Sequence, residues 1–457
     1  MMKRRSFVLA GSSAAILSAC GGGGAGNGSG GVGSVTSAQN RFEQANLAAS
    51  SASFKAKFTL PDMVDAWGIA IRPAGAGGHF WVGGGGSSWE FMGDVHNSSD
   101  ASLREITVDQ LTRMTVPDAG TSGHVTGVTY NGAALTSANF VPVDNATGTR
   151  QTMPDSTGAL ITMEGSARFI FVTDNGFITA WTERRQDTGA VLRSNGNAQK
   201  VFDGSALGHA YFGAAVKPGS WDTLWVADFG SDPQIRQFDA SWNLVPTTGF
   251  ANPFGTGTGG TAKPGDFVPF NILALGSRVF VTYAKSRVNP SDLTQFFAGE
   301  EDALDADQEK TGGFVPDRGR LVEFDLSGNL VRIYKDEKHL NAPWGVAIAP
   351  SAFGAFGGAV LVGNFGGGGY ITAFDGNSGS FLGYLPGLSA QHRRWFCRHP
   401  RPLGAAVRQR RQPGRQRRAV LRGRAGRRGG RAVWLAALRT AVISKPWTEQ
   451  PPTDQLH

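Results

Sequence analysis

The chain contains only two cysteines among its 457 residues, Cys20 and Cys397. Cys20 ends an apolar N-terminal segment and Cys397 lies in an arginine-rich tail, so the sequence predicts no structural disulfide. Charged residues make up only 18% of the chain. The apolar run from Phe7 to Leu17 is too short to cross a bilayer as a helix.

Motifs of several enzyme classes are also missing. The chain has no Gly-x-Ser-x-Gly nucleophile elbow, no P-loop and no dinucleotide-binding fingerprint. The glycine run at Gly83 to Gly86 has no further feature of a phosphate-binding loop. The histidines of the main body show no metal-ligand spacing, and they are His79, His96, His124, His209 and His339.

The chain is instead rich in glycine, with 65 residues, and short apolar runs separate the glycines. The clearest segment extends from Asn341 to Gly379 and a little beyond. It predicts four strands, centred on Trp344–Ile348, Val360–Val362, Tyr370–Phe374 and Phe381–Tyr384. Asp375-Gly376-Asn377 predicts the turn before the last strand, because Asn, Asp and Gly tolerate positive φ. Four short antiparallel strands of this kind are typical of one β-propeller blade.

The same unit recurs, more loosely, along the chain. The equivalent positions in five copies are Trp67, Thr126, Phe212, Phe270 and Trp344. They are separated by 59, 86, 58 and 74 residues, and the longer intervals indicate blades with insertions. A β-sandwich with glycine-rich loops fits the composition, but it does not predict these aligned positions. The sequence therefore predicts an all-β protein whose residues 53–388 form a β-propeller with five recognisable blades.

The first 20 residues read as an export signal and are excluded from the fold. Arg4-Arg5 within a charged start resembles a twin-arginine signal, and Leu17-Ser18-Ala19-Cys20 resembles a bacterial lipobox. Lipidation of Cys20 would anchor the protein at the cell envelope, on the periplasmic face or the cell surface. The alternative is an ordinary cleaved secretory peptide with an incidental cysteine. Residues 21–52, rich in glycine and serine at their start, are predicted to be a flexible tether.

Two other segments give structural expectations. Ser53 to Leu60 alternates strictly between apolar and polar residues, which predicts a strand that pairs with the last blade and closes the ring. The stretch from Ser286 to Asp317 contains several carboxylates, among them Glu300, Glu301 and Asp302. Carboxylate oxygens could hold Ca²⁺. The stretch lacks the glycine and the terminal glutamate of a helix-loop-helix calcium loop, and we favour a solvated acidic loop.

The C-terminal tail differs sharply in charge from the rest of the chain. From Gly376 to Thr448 there is no Asp or Glu, while 16 arginines and one lysine occur. Residues 1–376 hold 27 of the 44 basic and 34 of the 36 acidic residues, a net charge of −7. As written, the run from Arg408 to Arg431 resembles a nucleic-acid-binding arm. An acidic exported propeller has little use for such an arm, so we predict no nucleic-acid partner.

A frameshift explains the tail better. In GC-rich DNA, Arg408 to Gln412 can be encoded by CGG CAA CGG CGG CAA, which shifted by one base reads Gly-Asn-Gly-Gly-Asn. Plausible codons in that frame continue as a buried strand, an acidic turn and a final strand. The starting tryptophan of this unit would overlap the codon of Leu403, 59 residues after Trp344. We therefore hypothesise a frameshift between about Tyr384 and Arg401 that removes the sixth of six blades and leaves residues 389–457 disordered as written.

Several short motifs carry a resemblance to a known family. They are Trp67-Gly68-Ile69-Ala70, Asp174-Asn175-Gly176-Phe177-Ile178, Pro269-Phe270-Asn271-Ile272 with Tyr283-Ala284-Lys285, Pro343-Trp344-Gly345-Val346-Ala347 and Gly363-Asn364-Phe365-Gly366. With the sixth unit restored, the pattern resembles a family of bacterial exported six-bladed β-propeller proteins, some with PEP-CTERM sorting tails. More distantly it is similar to NHL-repeat and gluconolactonase-like propellers. Asp65-Ala66 stands where that family has Asn-Pro, and no PEP-CTERM tail is visible. The resemblance implies fold and export but no chemistry.

Propellers usually bind ligands in a central funnel lined by their innermost strands. The funnel candidates here are Asp65, Trp67, Thr126, Tyr211, Phe212, Phe270, Asn271 and Trp344. The aromatic residues among them are also the residue types that wedge adjacent blades together. Asn271 replaces a glycine in an otherwise apolar column, and a buried amide needs backbone, water or ligand partners.

Two functions follow from these candidates. The first is a lipid-anchored, non-catalytic propeller that binds a protein, a glycan or a small molecule and touches the membrane only through its anchor. The alternative is a divalent-metal-dependent lactonase or hydrolase, which needs a Glu/Asn/Asp set on the axis. Asn271 and Asp65 could belong to such a set, but no Glu falls in the aligned columns. The sequence identifies no catalytic residue, metal ligand or cofactor.

Overall fold

The computed structural model describes residues 47–72, 79–92, 107–108, 113–117, 119, 123–155, 157–184, 192, 197–289, 292–297, 317–351, 353–365 and 371–385. Their helical elements are short 3-10 turns at Ala52–Phe54, Ser205–Leu207, Thr258–Gly260 and Gly354–Phe356. Within these residues no helix has the length and apolar character needed to span a membrane. The rest of the regular structure is β-sheet.

Five antiparallel sheets follow one another along the chain. The N-terminal strands β1 (Ala48–Ala49) and β2 (Phe58–Thr59) precede them and pair with each other in parallel. Blade 1 contains β3 (Ala66–Ile71), β4 (His79–Gly84) and β5 (Ser87–Met92), with β6 (Thr107–Val108) and β7 (Met114–Thr115) both paired to β5. Blade 2 contains β8 (Val125–Tyr130), β11 (Phe169–Thr173), β12 (Phe177–Trp181) and β13 (Gln199–Asp203), with the hairpin β9 (Thr152–Pro154) and β10 (Leu160–Thr162) inserted after β8.

The remaining three blades have the same meander order. Blade 3 contains β14 (Tyr211–Val216), β15 (Thr223–Asp228), β16 (Gln234–Asp239) and β17 (Leu244–Val245). Blade 4 contains β18 (Phe267–Leu275), β19 (Arg278–Lys285), β22 (Gly319–Phe324) and β23 (Leu330–Ile333), with the hairpin β20 (Arg287–Asn289) and β21 (Asp292–Phe297) inserted. Blade 5 contains β24 (Pro343–Ile348), β25 (Val360–Asn364), β26 (Ile371–Phe374) and β27 (Phe381–Tyr384). The described residues therefore form five blades of a β-propeller, as the repeat pattern predicts.

The first strand of every blade carries a β-bulge, and the bulge lies at the aligned sequence position. The register of β3 with β4 shifts between Ala66 and Ile69, and that of β8 with β11 shifts at Thr126. The same shift occurs in blades 3 to 5, across Phe212, Phe270 and Trp344. A bulge places an extra residue on one strand and turns its side chain away from the ladder. The aligned residues are thus equivalent in structure.

Adjacent blades pack face to face through separate apolar clusters. Blades 1 and 2 meet around Trp81 and Phe169, and blades 2 and 3 meet around Ile170 and Phe238. Blades 3 and 4 meet around Trp225, Val281 and Phe324, while Phe280, Val346 and Val362 join blades 4 and 5. Strand alternation sends successive side chains to opposite faces, so each blade contributes to two clusters.

The predicted closing strand at Ser53–Leu60 is wrong. Ala52–Phe54 is a 3-10 turn capped by the Ser51 side chain, and only Phe58–Thr59 is extended, pairing with Ala48–Ala49. Phe58 and Leu60 pack on the apolar face of blade 1, and among the described strands Phe58–Thr59 pairs only with Ala48–Ala49. Ala48 and Ala49 are buried, so the fold begins earlier than the predicted end of the tether at residue 52.

Several other predictions concern residues outside the described part of the chain. These include the signal and Cys20, the first part of the tether, and the acidic loop at residues 298–316. The predicted sixth blade and the arginine-rich tail at 386–457 also lie outside this part of the chain. The prediction of six blades is therefore unconfirmed, and the structure describes five.

Candidate functional site at the propeller axis

The first strands of neighbouring blades approach each other closely where glycine follows the aligned residue. A Cβ on Gly68 would lie 2.5 Å from the Val128 nitrogen of the next blade, and a Cβ on Gly127 would lie 2.5 Å from the Phe212 oxygen. A Cβ on Gly213 would overlap the Asn271 side chain and lie 2.7 Å from the Asn271 Cα. Glycine is required here because the backbones of adjacent blades are in contact.

Aromatic side chains fill the centre of the ring. Trp67 packs edge-on against Trp344 with ring centroids 5.0 Å apart, and against Phe212 at 5.8 Å. Phe270 lies 5.0 Å from Trp344 and 5.3 Å from Phe212. All four predicted candidates in this group are buried, and they form one cluster that we call the axial plug.

Further aromatic residues extend the axial plug. Phe365 stacks on Trp67 with centroids 4.5 Å apart, and Phe229 packs against Phe270 at 5.8 Å. Neither was among the funnel candidates predicted from the sequence. Both follow the second strand of their blades in matching positions, in Asp228-Phe229-Gly230 and Asn364-Phe365-Gly366. That shared pattern could have identified them.

Side-chain hydrogen bonds connect the first strands around the axis. Thr126 Oγ1 donates to the Tyr211 oxygen of the next blade at 2.6 Å. Asn271 Nδ2 donates to the Trp344 oxygen at 2.8 Å, and its Oδ1 accepts from the Ile272 N–H at 2.8 Å. Asn271 thus finds backbone partners, one of the possibilities predicted for it.

A further side-chain hydrogen bond joins the first and fifth blades. Trp344 Nε1 donates to the Trp67 oxygen at 2.9 Å, across 277 residues of sequence. Because the indole N–H is buried, this bond satisfies a donor that would otherwise lose its hydration. The axial plug therefore combines apolar packing with one specific polar contact.

Tyr211 does not belong to the axial plug. Its ring packs in the cluster between blades 2 and 3, and its hydroxyl lies 2.5 Å from His209 Nδ1. Burial raises the pKa of Tyr211 and lowers that of His209, whose Nε2 lies 3.9 Å from Asp228 Oδ2. The bulge at Phe212 turns that ring to the axis and leaves its neighbour Tyr211 between the blades.

Asp228, which lies beside His209, is a buried carboxylate. Its carboxylate accepts hydrogen bonds from the Ala210 and Gly230 N–H groups, each at 2.9 Å, and from Arg236 Nε at 3.0 Å. Burial raises the pKa of the Asp228 carboxyl, and His209, the backbone donors and Arg236 oppose the rise. The carboxylate ties the loop before β14 to the end of β15, which is a structural role.

Asp65 is the remaining funnel candidate. It precedes β3 in a left-handed conformation with φ of 46° and is only partly buried. Its backbone oxygen and that of Val64 lie against Gly84, where a Cβ would come within 2.7 Å. Asp65 therefore shapes the entry into blade 1 and lies outside the aromatic cluster.

Beyond the plug, the axis contains a small apolar cavity of about 50 Å³. First strands of all five described blades contribute to its wall, with Ile69, Val128, Ala214, Ile272, Leu273 and Val346 among the lining residues. Trp67, Trp344 and Asn271 also line it. Asn271 is its one polar side chain, and backbone groups already engage that amide. The cavity therefore suits an apolar group better than an ion.

A metal on this axis does not fit the residues present there. Within the described part of the chain, no group of three or more His, Cys, Asp and Glu side chains is placed to share a metal ion. Of the two predicted oxygen ligands, Asn271 lines the axial cavity and Asp65 does not. A hard cation needs several oxygen ligands at one point.

Comparison with known proteins gives relatives but no family assignment. No family model matches the chain. Uncharacterized protein R648 of Acanthamoeba polyphaga mimivirus is 27% identical over 338 residues, which is 74% of this chain and 68% of that protein. Uncharacterized protein L690 of the same virus is 31% identical over 162 residues, 35% of this chain and 37% of that protein. The predicted relation to bacterial exported propellers stays a prediction.

Two solved structures show a weak overall likeness to this chain. The WD40 β-propeller domain of Doa1 has a TM-score of 0.34 at 9% identity, covering 71% of this chain and 69% of that one. A protein of unknown function from Bacteroides caccae has a TM-score of 0.32 at 8% identity, covering 72% and 83%. The assignment of blades here depends on the five sheets themselves.

Proposed function

We propose that this protein is an exported, lipid-anchored β-propeller that binds a partner or ligand and does not catalyse a reaction. The observation that supports it most is the axial plug of Trp67, Phe212, Phe270 and Trp344. In a propeller hydrolase this region holds a metal and a general base, and both need polar side chains at one point. Here the described axis offers packed aromatic rings and an apolar cavity.

The binding role also agrees with the fold. A propeller presents rigid loops around a common axis, and rigid scaffolds that carry variable loops suit recognition. The bound species would be a protein, a glycan or a small molecule, recognised through the loops or the axial cavity. Residues 1–376 have a net charge of −7, which disfavours a nucleic-acid partner.

Binding at the axis is tested by tryptophan fluorescence, because Trp67 and Trp344 line the cavity. The purified protein is titrated with soluble glycans and with apolar small molecules. We expect a saturable spectral change that Leu273→Arg abolishes, since this variant places a charge in the cavity wall. Leu330→Arg, at a half-exposed position on β23, is the matched control and should bind normally. Equal effects of the two variants on binding would show that the ligand does not bind in the axial cavity.

The lactonase alternative is tested on the same preparations. Hydrolysis of five- and six-membered lactones is measured with Ca²⁺, Mn²⁺ or Zn²⁺ and after addition of EDTA. We expect no turnover above the blank. Turnover that EDTA removes and that Asn271→Ala reduces would contradict the non-catalytic role.

Anchoring is tested separately. Cells that express the full chain are labelled with radioactive palmitate, with Cys20→Ala and Cys397→Ala as matched variants. We expect label in the wild type and in Cys397→Ala, and none in Cys20→Ala. Label that persists in Cys20→Ala, or export that survives Arg4→Lys/Arg5→Lys, would contradict the proposed route.

A further inference from the structure

The axial plug has an outer layer on the side away from the apolar cavity. The cavity is lined by residues two positions after the aligned residues, such as Ile69 and Val346. The outer layer consists of two residues from each blade, one lying two positions before the aligned residue and one following the second strand. In blades 3 and 5 the second residue donates its N–H to the oxygen of the first, at 2.8 and 2.9 Å, and in blade 4 the two are register partners. These three pairs are Ala210–Phe229, Val268–Ala284 and Ala342–Phe365.

Blades 3, 4 and 5 fill the outer layer with apolar side chains. All six residues of their pairs pack in the cluster of the axial plug. Phe365 stacks on Trp67 with centroids 4.5 Å apart, and Phe229 packs against Phe212 at 5.9 Å. Phe365 is partly exposed, so this side of the axis presents part of an aromatic ring to solvent.

Blade 2 has a histidine and an aspartate at the same two positions. The Asp174 N–H donates to the His124 oxygen at 3.2 Å, which is the bond found in blades 3 and 5. In addition, Asp174 Oδ1 accepts from the His124 N–H at 2.6 Å, and Oδ2 lies 3.0 Å from His124 Nδ1. The Asp174 and His124 side chains are 15% and 26% exposed. A carboxylate accepts about four hydrogen bonds, so Asp174 can also bind a donor from solvent.

The outer layer is acidic as well as aromatic. In blade 1 the corresponding positions are Asp65, two residues before the aligned tryptophan, and Gly85, which follows β4. The positions of the outer layer thus contain two aspartates and no lysine or arginine. Lys285 comes directly after the layer in blade 4, but its ammonium lies 5.3 Å from the Phe267 ring, in the cluster between blades 3 and 4. Its charge is therefore directed away from the axis.

The polar pair of blade 2 borders the aromatic part of the plug. The aligned residue of blade 2 is the small Thr126, whose hydroxyl donates to a backbone oxygen of blade 3. Trp67 of blade 1 and Phe212 of blade 3 meet past this residue, with ring centroids 5.8 Å apart. His124 lies two residues before Thr126 and so stands beside that aromatic contact. A carboxylate and aromatic rings therefore occur together at this end of the axis.

We propose that this end of the axis binds an organic cation, an ammonium or guanidinium group that carries apolar substituents. The proposal rests on the binding role proposed above and names the class of ligand. The cationic group would meet the Asp174 carboxylate, and its apolar substituents would lie against Phe365, because aromatic faces attract cations. A metal ion suits the site less well, since among the described residues no three His, Cys, Asp or Glu side chains are placed to share one.

The first test titrates the full-length protein with choline and with 3,3-dimethylbutan-1-ol, which has the same shape without the charge. Tryptophan fluorescence reports binding, and calorimetry provides a second readout. We expect saturable binding of choline that is about tenfold tighter than that of the alcohol, because only choline gains the carboxylate and cation–π contacts. Equal affinity for the two compounds would overturn the proposal, and so would a preference for the neutral sugar methyl glucoside over choline.

A peptide arm distinguishes a free ligand from a side chain of a partner protein. An acetylated and amidated glycine-lysine-glycine peptide is titrated with its lysine unmodified or trimethylated, and a peptide with norleucine is the neutral control. Tighter binding of a cationic peptide than of choline would support a partner's side chain, and the reverse order would support a free cation. Failure of all the cations to bind would overturn the proposal.

Substitutions locate the site. Asp174→Asn removes the charge but keeps an oxygen for the His124 N–H, and we expect choline binding to weaken about tenfold while the alcohol is unaffected. Phe365→Leu keeps the apolar volume without the aromatic face and should weaken choline binding about threefold. Asp325→Asn is the matched control, because this carboxylate also accepts backbone N–H groups but lies in the outer turn between β22 and β23. Choline binding that Asp325→Asn weakens as much as Asp174→Asn would contradict the site.

Leu273→Arg separates this site from the axial cavity. The variant places a charge in the cavity wall, on the other side of the axial plug, so choline binding should be unchanged. Loss of choline binding in Leu273→Arg but not in Asp174→Asn would assign the cation to the cavity. That outcome would overturn the cation site at the outer layer and leave the proposed binding role intact. Binding of other ligands in the cavity, with no binding of any cation, would have the same consequence.

Discussion

Single glycines set the distance between blades at the residue scale. Gly68, Gly127 and Gly213 each follow an aligned residue and each touch the backbone or side chain of the next first strand. Blade 4 has Asn271 at this position, and its amide bridges to the Trp344 oxygen. The ring therefore uses close backbone contact at three steps and a side-chain bridge at the fourth.

We predict that Gly213→Ala destabilises the protein by about 2–3 kcal/mol, because the new methyl overlaps Asn271 in a packed site. Unfolding in urea measures the effect. Gly148→Ala is the comparison, since Gly148 has open space around it; its φ of 66°, a conformation that Gly213 does not share, is expected to cost about 1 kcal/mol of stability in this variant. Similar losses in the two variants would show that the contact with Asn271 does not matter.

His209 gives the second prediction at this scale. Burial lowers its pKa below the ordinary value near 6.5, so the unfolded chain binds a proton more readily than the folded one. Stability should therefore fall as the pH decreases through about 6.5. We expect His209→Asn to reduce this slope between pH 7.5 and 5.5, measured by urea midpoints, while His339→Asn retains it. An unchanged slope in His209→Asn would assign the acid sensitivity to other groups.

At the scale of elements, blades are joined by ion pairs as well as by apolar faces. Arg72, just after β3, makes two hydrogen bonds to Glu183, just after β12, at 2.7 and 3.0 Å. The Glu183 side chain is 1% exposed and that of Arg72 is 16% exposed. Removal of the arginine therefore leaves the more deeply buried group, the Glu183 carboxylate, without its partner. This difference in burial determines which substitution lowers the folding stability more.

We predict that Arg72→Gln costs about 3–5 kcal/mol and that Glu183→Gln costs less, with the double variant closer to wild type than their sum. A double-mutant cycle in urea measures the coupling. The surface pair Arg113–Asp62, with side chains 51% and 71% exposed, is the control and should contribute less than about 1 kcal/mol. Equal coupling in the two pairs would mean that burial does not set the strength.

For the whole molecule, the contact between Trp344 and Trp67 joins the first and last described blades. We predict that Trp344→Phe costs about 1–2 kcal/mol, because the buried Trp67 oxygen loses its donor while most of the apolar packing remains. Trp242→Phe removes a similar bond to the Val141 oxygen away from the axis, and serves as the control. Trp344→Phe should also lower the hydrogen-exchange protection of blade 1, whereas Trp242→Phe should not. Loss of blade 1 protection in both variants would argue against a special role of the axial contact.

The blades could be predicted from the sequence because their signals are local. Alternation of apolar residues, turn residues such as Asp375 and the aligned small-residue steps after Trp67 and Trp344 depend on neighbours along the chain. The position of each bulge coincides with the aligned residue for the same reason. Fold class and blade count within residues 66–384 were thus determined by the sequence.

Tertiary packing determined the features that depend on contacts between residues distant in sequence. Residues Ser53–Leu60 alternate between apolar and polar types as a strand does. Phe58 and Leu60 nevertheless bury their side chains against the face of blade 1, and Ala52–Phe54 forms a 3-10 turn, so no long strand forms. Tyr211 and Phe212 are neighbours in sequence, and only the bulge and the fit between blades direct one to His209 and the other to the axis. Burial at the axis is shared among residues as far apart as Trp67 and Trp344, and no local pattern encodes that contact.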